Sequence, residues 1–133
     1  MSFREKSALA TALALAFVYG FYAWRVWGVG VPPAAAMPGM VGVALAQAIV
    51  VTAAHIALAI HRRPERPDER DQAAALRGQR NAYYVLLTGA IGVLWLALRG
   101  MPGLTVAHAM LASVVLAEIV RHASQLVFYR WGY

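Results

Sequence analysis

Glu118 is the one acidic residue inside a long apolar segment of this chain, and Arg121, His122 and Gln125 follow it at i+3, i+4 and i+7. That spacing sets all four on one face of a helix. An ionisable group at membrane depth costs at least ~2.5 kcal/mol at the centre of a span, and it normally faces protein interior or water. The chemistry open to such a face is ion pairing, proton or cation exchange, or ligand binding. The plainer alternative is an intrahelical Glu118–Arg121 pair, with Arg121 reaching along its own stem toward the aqueous side.

Polar residues of other segments fall near the same level. His55 lies six residues above the inner end of its segment, and His122 seven above the end of its own. Thr52, Tyr84, Thr88 and Asn81 lie close to that depth. A polar pocket lined by Glu118, Arg121, His122, Gln125, His55, Thr52, Tyr84, Thr88 and Asn81 is therefore expected on the cytoplasmic side. The plainer reading of each lone histidine is a hydrogen-bonded core residue. A sharper reading has His55 and His122 facing each other and ligating haem iron axially. His108, fourteen residues before His122, would extend this to two haems. The second segment offers no partner for His108, however, and a Glu118–Arg121 pair is a poor neighbour for a porphyrin. No cofactor and no metal are expected.

The chain has no cysteine, which excludes disulfides, thiolate metal sites and cysteine nucleophiles. Asp68, Glu69 and Asp71 with His61 read as solvated charges at a helix start rather than a cation site. No glycine-rich phosphate loop, His-Glu-x-x-His or nucleophile elbow is present, so no enzyme activity is expected.

These residues must be positioned by membrane-spanning helices. The 133 residues are 61% apolar and 14% charged, where soluble domains run about 45–50% and about 25%. Crossing ~30 Å of hydrocarbon takes ~20 apolar residues. Four segments meet or approach that, at about 7–27, 39–60, 81–98 and 104–129. The first has too long an apolar core for a secretory signal, whose core runs ~7–15 residues, and is expected to be a retained span. Its Ala8, Ala12, Ala16 and Gly20 recur every four residues, a pattern that allows close helix packing. Pro and Gly in the uncharged 28–39 connection are expected to break helices. Pro67, Asp68, Glu69 and Asp71 suit a helix start. One helix is expected from about 68 to 98, with Gly78 as its weak point. No internal repeat is visible, so an inverted-repeat transporter is not indicated.

Six of the twelve basic residues lie in the 61–80 connection, and Arg4, Lys6 and Arg130 lie at the chain ends. The positive-inside rule places that connection and both termini in the cytoplasm. The net charge of +6 follows from those segments and implies no nucleic-acid partner. Tyr22, Trp24, Trp27 and Trp95 would form an outer aromatic belt. Phe3, Tyr83, Tyr84, Phe128, Tyr129 and Trp131 would form the inner one. The expected fold is all-α: an integral membrane four-helix bundle, up-down-up-down, N-in/C-in, in a single transmembrane domain.

Two stretches carry a resemblance. One is Asp68-Glu69-Arg70-Asp71 with Arg77, Arg80 and Asn81-Ala82-Tyr83-Tyr84-Val85-Leu86. The other is Glu118-Ile119-Val120-Arg121 with Ser124-Gln125-Leu126 and Tyr129-Arg130. Together they resemble small four-span bacterial inner-membrane proteins with no assigned function. The match covers about 30 residues directly. It implies a bacterial inner membrane and brings no catalytic residues. The expected function is a non-enzymatic sensory, regulatory or partner-binding module in the lipid bilayer, with the 61–80 connection open to a cytoplasmic protein. The alternatives are a small homodimeric transporter coupled to protons or cations through Glu118, and a b-type haem protein.

Overall fold

Long charge-free runs rich in alanine and leucine favour helix, and the described residues are helical almost throughout. The structure, a computed structural model, describes residues 3–30, 32–61 and 69–131. Helix α1 spans Phe3–Ala23 and is extended by a π-helical turn, Trp24–Gly28. Helices α2 (Pro33–His61), α3 (Glu69–Leu98) and α4 (Gly103–Trp131) follow. No strand occurs among the described residues. Ser7–Gly28, α3 and α4 are long and apolar enough to cross a membrane, and a shorter apolar stretch, Pro38–Ala54, lies within α2. Phe17, Ile60 and Leu98 are each more than three-quarters exposed. Apolar residues exposed so widely on long helices fit a lipid surround better than water.

The chain divides into two compact units, residues 1–71 and 72–133. In the first, α1 packs on α2. The π turn closes with the Val29 amide donating to the Trp24 carbonyl at 3.2 Å. Gly30, at φ +76, then turns the chain out of the helix. α2 begins at Pro33, six residues before the expected start at 39, and runs through Pro38. The expectation that Pro and Gly keep this connection non-helical is corrected. Pro33 takes the first helical position, where its missing N–H costs nothing. The Ala35 amide bonds the Pro32 carbonyl at 2.9 Å, and Pro38 forfeits a single bond near the helix start.

The four-residue spacing on α1 is only partly covered within its own unit. Among the described residues of α1, Ala8, Thr11, Leu15 and Tyr22 are buried. Ala16 and Gly20 are exposed, and nothing lies within 4 Å of a Cβ built on Gly20.

In the second unit α3 runs unbroken through Gly78. Glu69 and Asp71 stand in its first turn, where carboxylates favour the positive end of the helix dipole. It ends in a Schellman motif. Gly100, at φ +69, donates to the Ala97 carbonyl at 3.0 Å, and Met101 donates to the Leu96 carbonyl at 3.2 Å. Pro102 then stops the helix, and its carbonyl accepts the Thr105 amide at 2.9 Å to start α4. The tight turn sends α4 back along α3.

Candidate functional site

The α3–α4 pairing rests on small residues of α3. Ala74 is fully buried, Gly78 is buried, and Ala82, Val85 and Gly89 continue the same face half-buried. A Cβ added at Gly89 would meet the Ser113 side chain at 2.5 Å. One added at Gly78 would meet the Arg121 carbonyl oxygen at 2.6 Å and Gln125 Cγ at 2.8 Å. The backbones approach as closely as in small-xxx-small membrane pairs. Gly78 is therefore not a weak point. The ~1 kcal/mol its helix propensity loses against alanine is offset by the contact it permits. Further along the seam Asn81 Nδ2 donates to Ser124 Oγ at 3.0 Å, and the Arg77 guanidinium lies 4.7 Å above the Phe128 ring.

Glu118 sits on one flank of this seam. Its Oε2 accepts from Arg121 Nη1 at 3.4 Å and lies 3.8 Å from His122 Nε2. The side chains of Glu118 and Arg121 are 41% and 44% exposed, and that of His122 15%. The contact is looser than a charge-assisted bond of ~2.7–2.9 Å, so it is an ion pair with room to rearrange. Arg121 Nε is buried with no acceptor among the described residues. His122 brings a second nitrogen base up to the same carboxylate oxygen. Its Nε2, turned toward Glu118, is a nitrogen that an axial iron bond would also use.

The other flank carries a groove of ≈ 360 Å³ lined by Arg77, Arg80, Asn81, Val120, Ala123, Ser124, Val127 and Phe128. At ~100° per residue, Val120, Ala123 and Val127 fall on one side of the line through Ser113, Ala117 and Ser124, while Glu118, His122 and Gln125 fall on the other.

The structure thus brings Glu118, Arg121 and His122 together and places Gln125 against Gly78. Asn81 belongs instead to the second flank, with Ser124. Tyr84 and Thr88 are exposed, and the Thr88 hydroxyl is spent on the Tyr84 carbonyl at 2.9 Å. Thr52 is exposed on α2, in the first unit; the His55 side chain lies outside the described residues. Residues 62–68, including Pro67 and Asp68, also lie outside them. His108 is a buried core histidine whose Nδ1–H donates to the Leu104 carbonyl at 2.7 Å. Among the described residues no group of three or more His, Asp or Glu is arranged for a metal ion.

Ser124 and Gln47 were not among the residues expected to line a pocket. Ser124 matters only through Asn81, 43 residues away. Gln47 is buried on α2, with its Oε1 lacking a partner among the described residues. A lone amide in an uncharged apolar segment was the available signal for it. Comparison of the chain with family models, with curated proteins and with solved structures gives no match.

Proposed function

We propose that the chain is a non-enzymatic, multi-pass protein of a bacterial inner membrane that works as a sensory, regulatory or partner-binding module. In this reading the two helical hairpins close into a four-helix bundle with both termini in the cytoplasm. The observation that carries it is the trio Glu118–Arg121–His122 inside an otherwise charge-free helix face, with Arg121 Nε left without an acceptor among the described residues. An ionic network with an open donor and a long central contact is one that a signal or a partner can complete. The first turns of α3 supply the surface for that partner, with Gln72, Leu76 and Gln79 exposed.

The test is site-specific photo-crosslinking in cells from Leu76. A discrete crosslinked product that Glu118→Gln abolishes supports the reading. No product from Leu76, or one indifferent to Glu118, sinks it. A second reading, a proton- or cation-coupled transporter, is favoured by the partly exposed Glu118 carboxylate beside His122. Four helices are few for a transport pathway, so that reading needs a homodimer. Proton-coupled flux in liposomes that vanishes in Glu118→Gln would select it.

A further inference from the structure

The groove on the far flank of α4 is not used by the Glu118 trio, and it is basic on its α3 side and largely apolar on its α4 side. On the α3 side stand Arg77, Arg80 and Asn81, facing Ser124 and Phe128 of α4. The apolar part of the wall is Val120, Ala123 and Val127: Val127 adjoins Phe128, and Ala123 and Val120 lie about one and two turns farther along α4. Both arginines precede the charge-free stretch 81–98 by no more than one turn. That puts their guanidinium groups at the level where a span meets the phospholipid headgroups. Arg77 is held over Phe128 by a cation–π contact, which orients it and leaves its charge uncancelled. Arg80 has no carboxylate partner among the described residues. No acid occurs between Gln72 and Ala117. Ser124 Oγ accepts from Asn81, which leaves the serine hydroxyl proton to donate outward.

We infer that this groove is a binding site for an anionic phospholipid. Its phosphate is held by Arg77, Arg80 and Ser124, and the first part of an acyl chain lies along Val127, Ala123 and Val120. A soluble phosphate would use the arginines and leave the apolar wall bare. A zwitterionic lipid would fill the wall but bring a cationic group up to the arginines. An anionic lipid satisfies both, as basic pockets between helices on the cytoplasmic side do. The ≈ 360 Å³ of the groove matches a headgroup with a few methylenes. The inference rests on the membrane reading above, because only a spanning α3–α4 hairpin presents this groove sideways to lipid.

The test uses the full chain, purified from membranes and examined by native mass spectrometry with added phosphatidylglycerol, phosphatidylcholine or inorganic phosphate. Carbonate extraction of the membranes is run first. A chain released by carbonate overturns the membrane reading and the site with it. For a chain that stays, retention of phosphatidylglycerol over phosphatidylcholine is expected. Arg80→Gln should cut it about 5-fold, and Arg77→Gln with Arg80→Gln about 30-fold, at the ~1 kcal/mol that each basic residue contributes near an anionic surface. Ala123→Trp, which blocks the wall without changing charge, should cut it as well, and helix content by circular dichroism should stay unchanged. Arg130→Gln lies at the same end of the chain's charge distribution but outside the groove, and should change retention by less than about 2-fold. Equal retention of the two lipids, or an Arg130 effect as large as that of Arg80, overturns the site while leaving the membrane reading intact. Displacement of the lipid by inorganic phosphate at equal concentration overturns the lipid as occupant in favour of a free anion.

Discussion

At the scale of single residues the decisive question is what the Glu118–Arg121 contact contributes. Removing one partner of a buried ion pair leaves the other charge uncompensated, at ~3–5 kcal/mol for a fully buried pair. Here the contact is 3.4 Å and both side chains are about two-fifths exposed, so solvent or headgroups relieve part of that cost. Glu118→Gln should destabilise the protein by about 1–2 kcal/mol on that discounted scale. It should appear as a lower melting temperature in detergent. Adding Arg121→Leu should recover part of the loss, because it removes the orphaned cation. A double variant at least as unstable as Glu118→Gln would show that the two are not coupled. This trio was legible in the sequence because helix geometry alone brings i+3 and i+4 neighbours together. Asn81, which bonds Ser124, shows the complementary case. Depth along a span says at what level a residue lies, but not on which flank, and its partner Ser124 comes from a different helix.

Among the elements, the α3–α4 seam makes the sharpest demand on side-chain size. Gly92 and Gly89 both lie within α3, but a Cβ at Gly92 meets nothing within 4 Å while one at Gly89 runs into Ser113. Gly92→Ala should therefore be neutral or stabilising by up to about 1 kcal/mol, the gain in helix propensity. Gly89→Ala should destabilise by about 1–3 kcal/mol through overpacking. Ser113→Gly combined with Gly89→Ala should restore most of that loss, since only the Ser113 side chain blocks the new methyl and its Cα stands at 3.5 Å. Gly78→Ala has no such remedy, because what it meets first is the Arg121 backbone carbonyl. Thermal unfolding of the four variants in one detergent checks the set. A Gly89→Ala protein as stable as Gly92→Ala would show that the helices do not approach as described. The boundaries of α3 were legible from its acidic start and from Arg99-Gly100-Met101-Pro102. The start of α2 was not, because Pro33 and Pro38 were read as breakers when one of them occupies the position where proline favours a helix. The seam was missed because small residues recur on both α1 and α3, and recurrence does not say which stripe finds a partner.

For the whole molecule, the distribution of charge makes the strongest demand. Nine of the twelve basic residues fall at the two chain ends and in the 61–80 connection, against Arg25 and Arg99 at the opposite ends of the helices. The bias that orients spans during insertion counts lysine and arginine close to the membrane, and here it points one way. Gln72 and Ala35 are suited to report it, since both are exposed, in the first turns of α3 and α2, and the chain has no native cysteine to interfere. Gln72→Cys is expected to react with a membrane-impermeant maleimide only after intact cells are opened. Ala35→Cys is expected to react from outside in intact cells, once the outer barrier is made permeable. Labelling of both from one side would mean that α2 does not cross. Same-side labelling would be hard to reconcile with α2 itself, which runs as one helix from Pro33 to His61 and carries no Asp, Glu, Lys or Arg. A helix of 29 residues rises about 43 Å at 1.5 Å per residue, well over a ~30 Å hydrocarbon core. Opposite-side labelling would therefore establish that α2 is a true span, with length to spare for tilt in the bilayer.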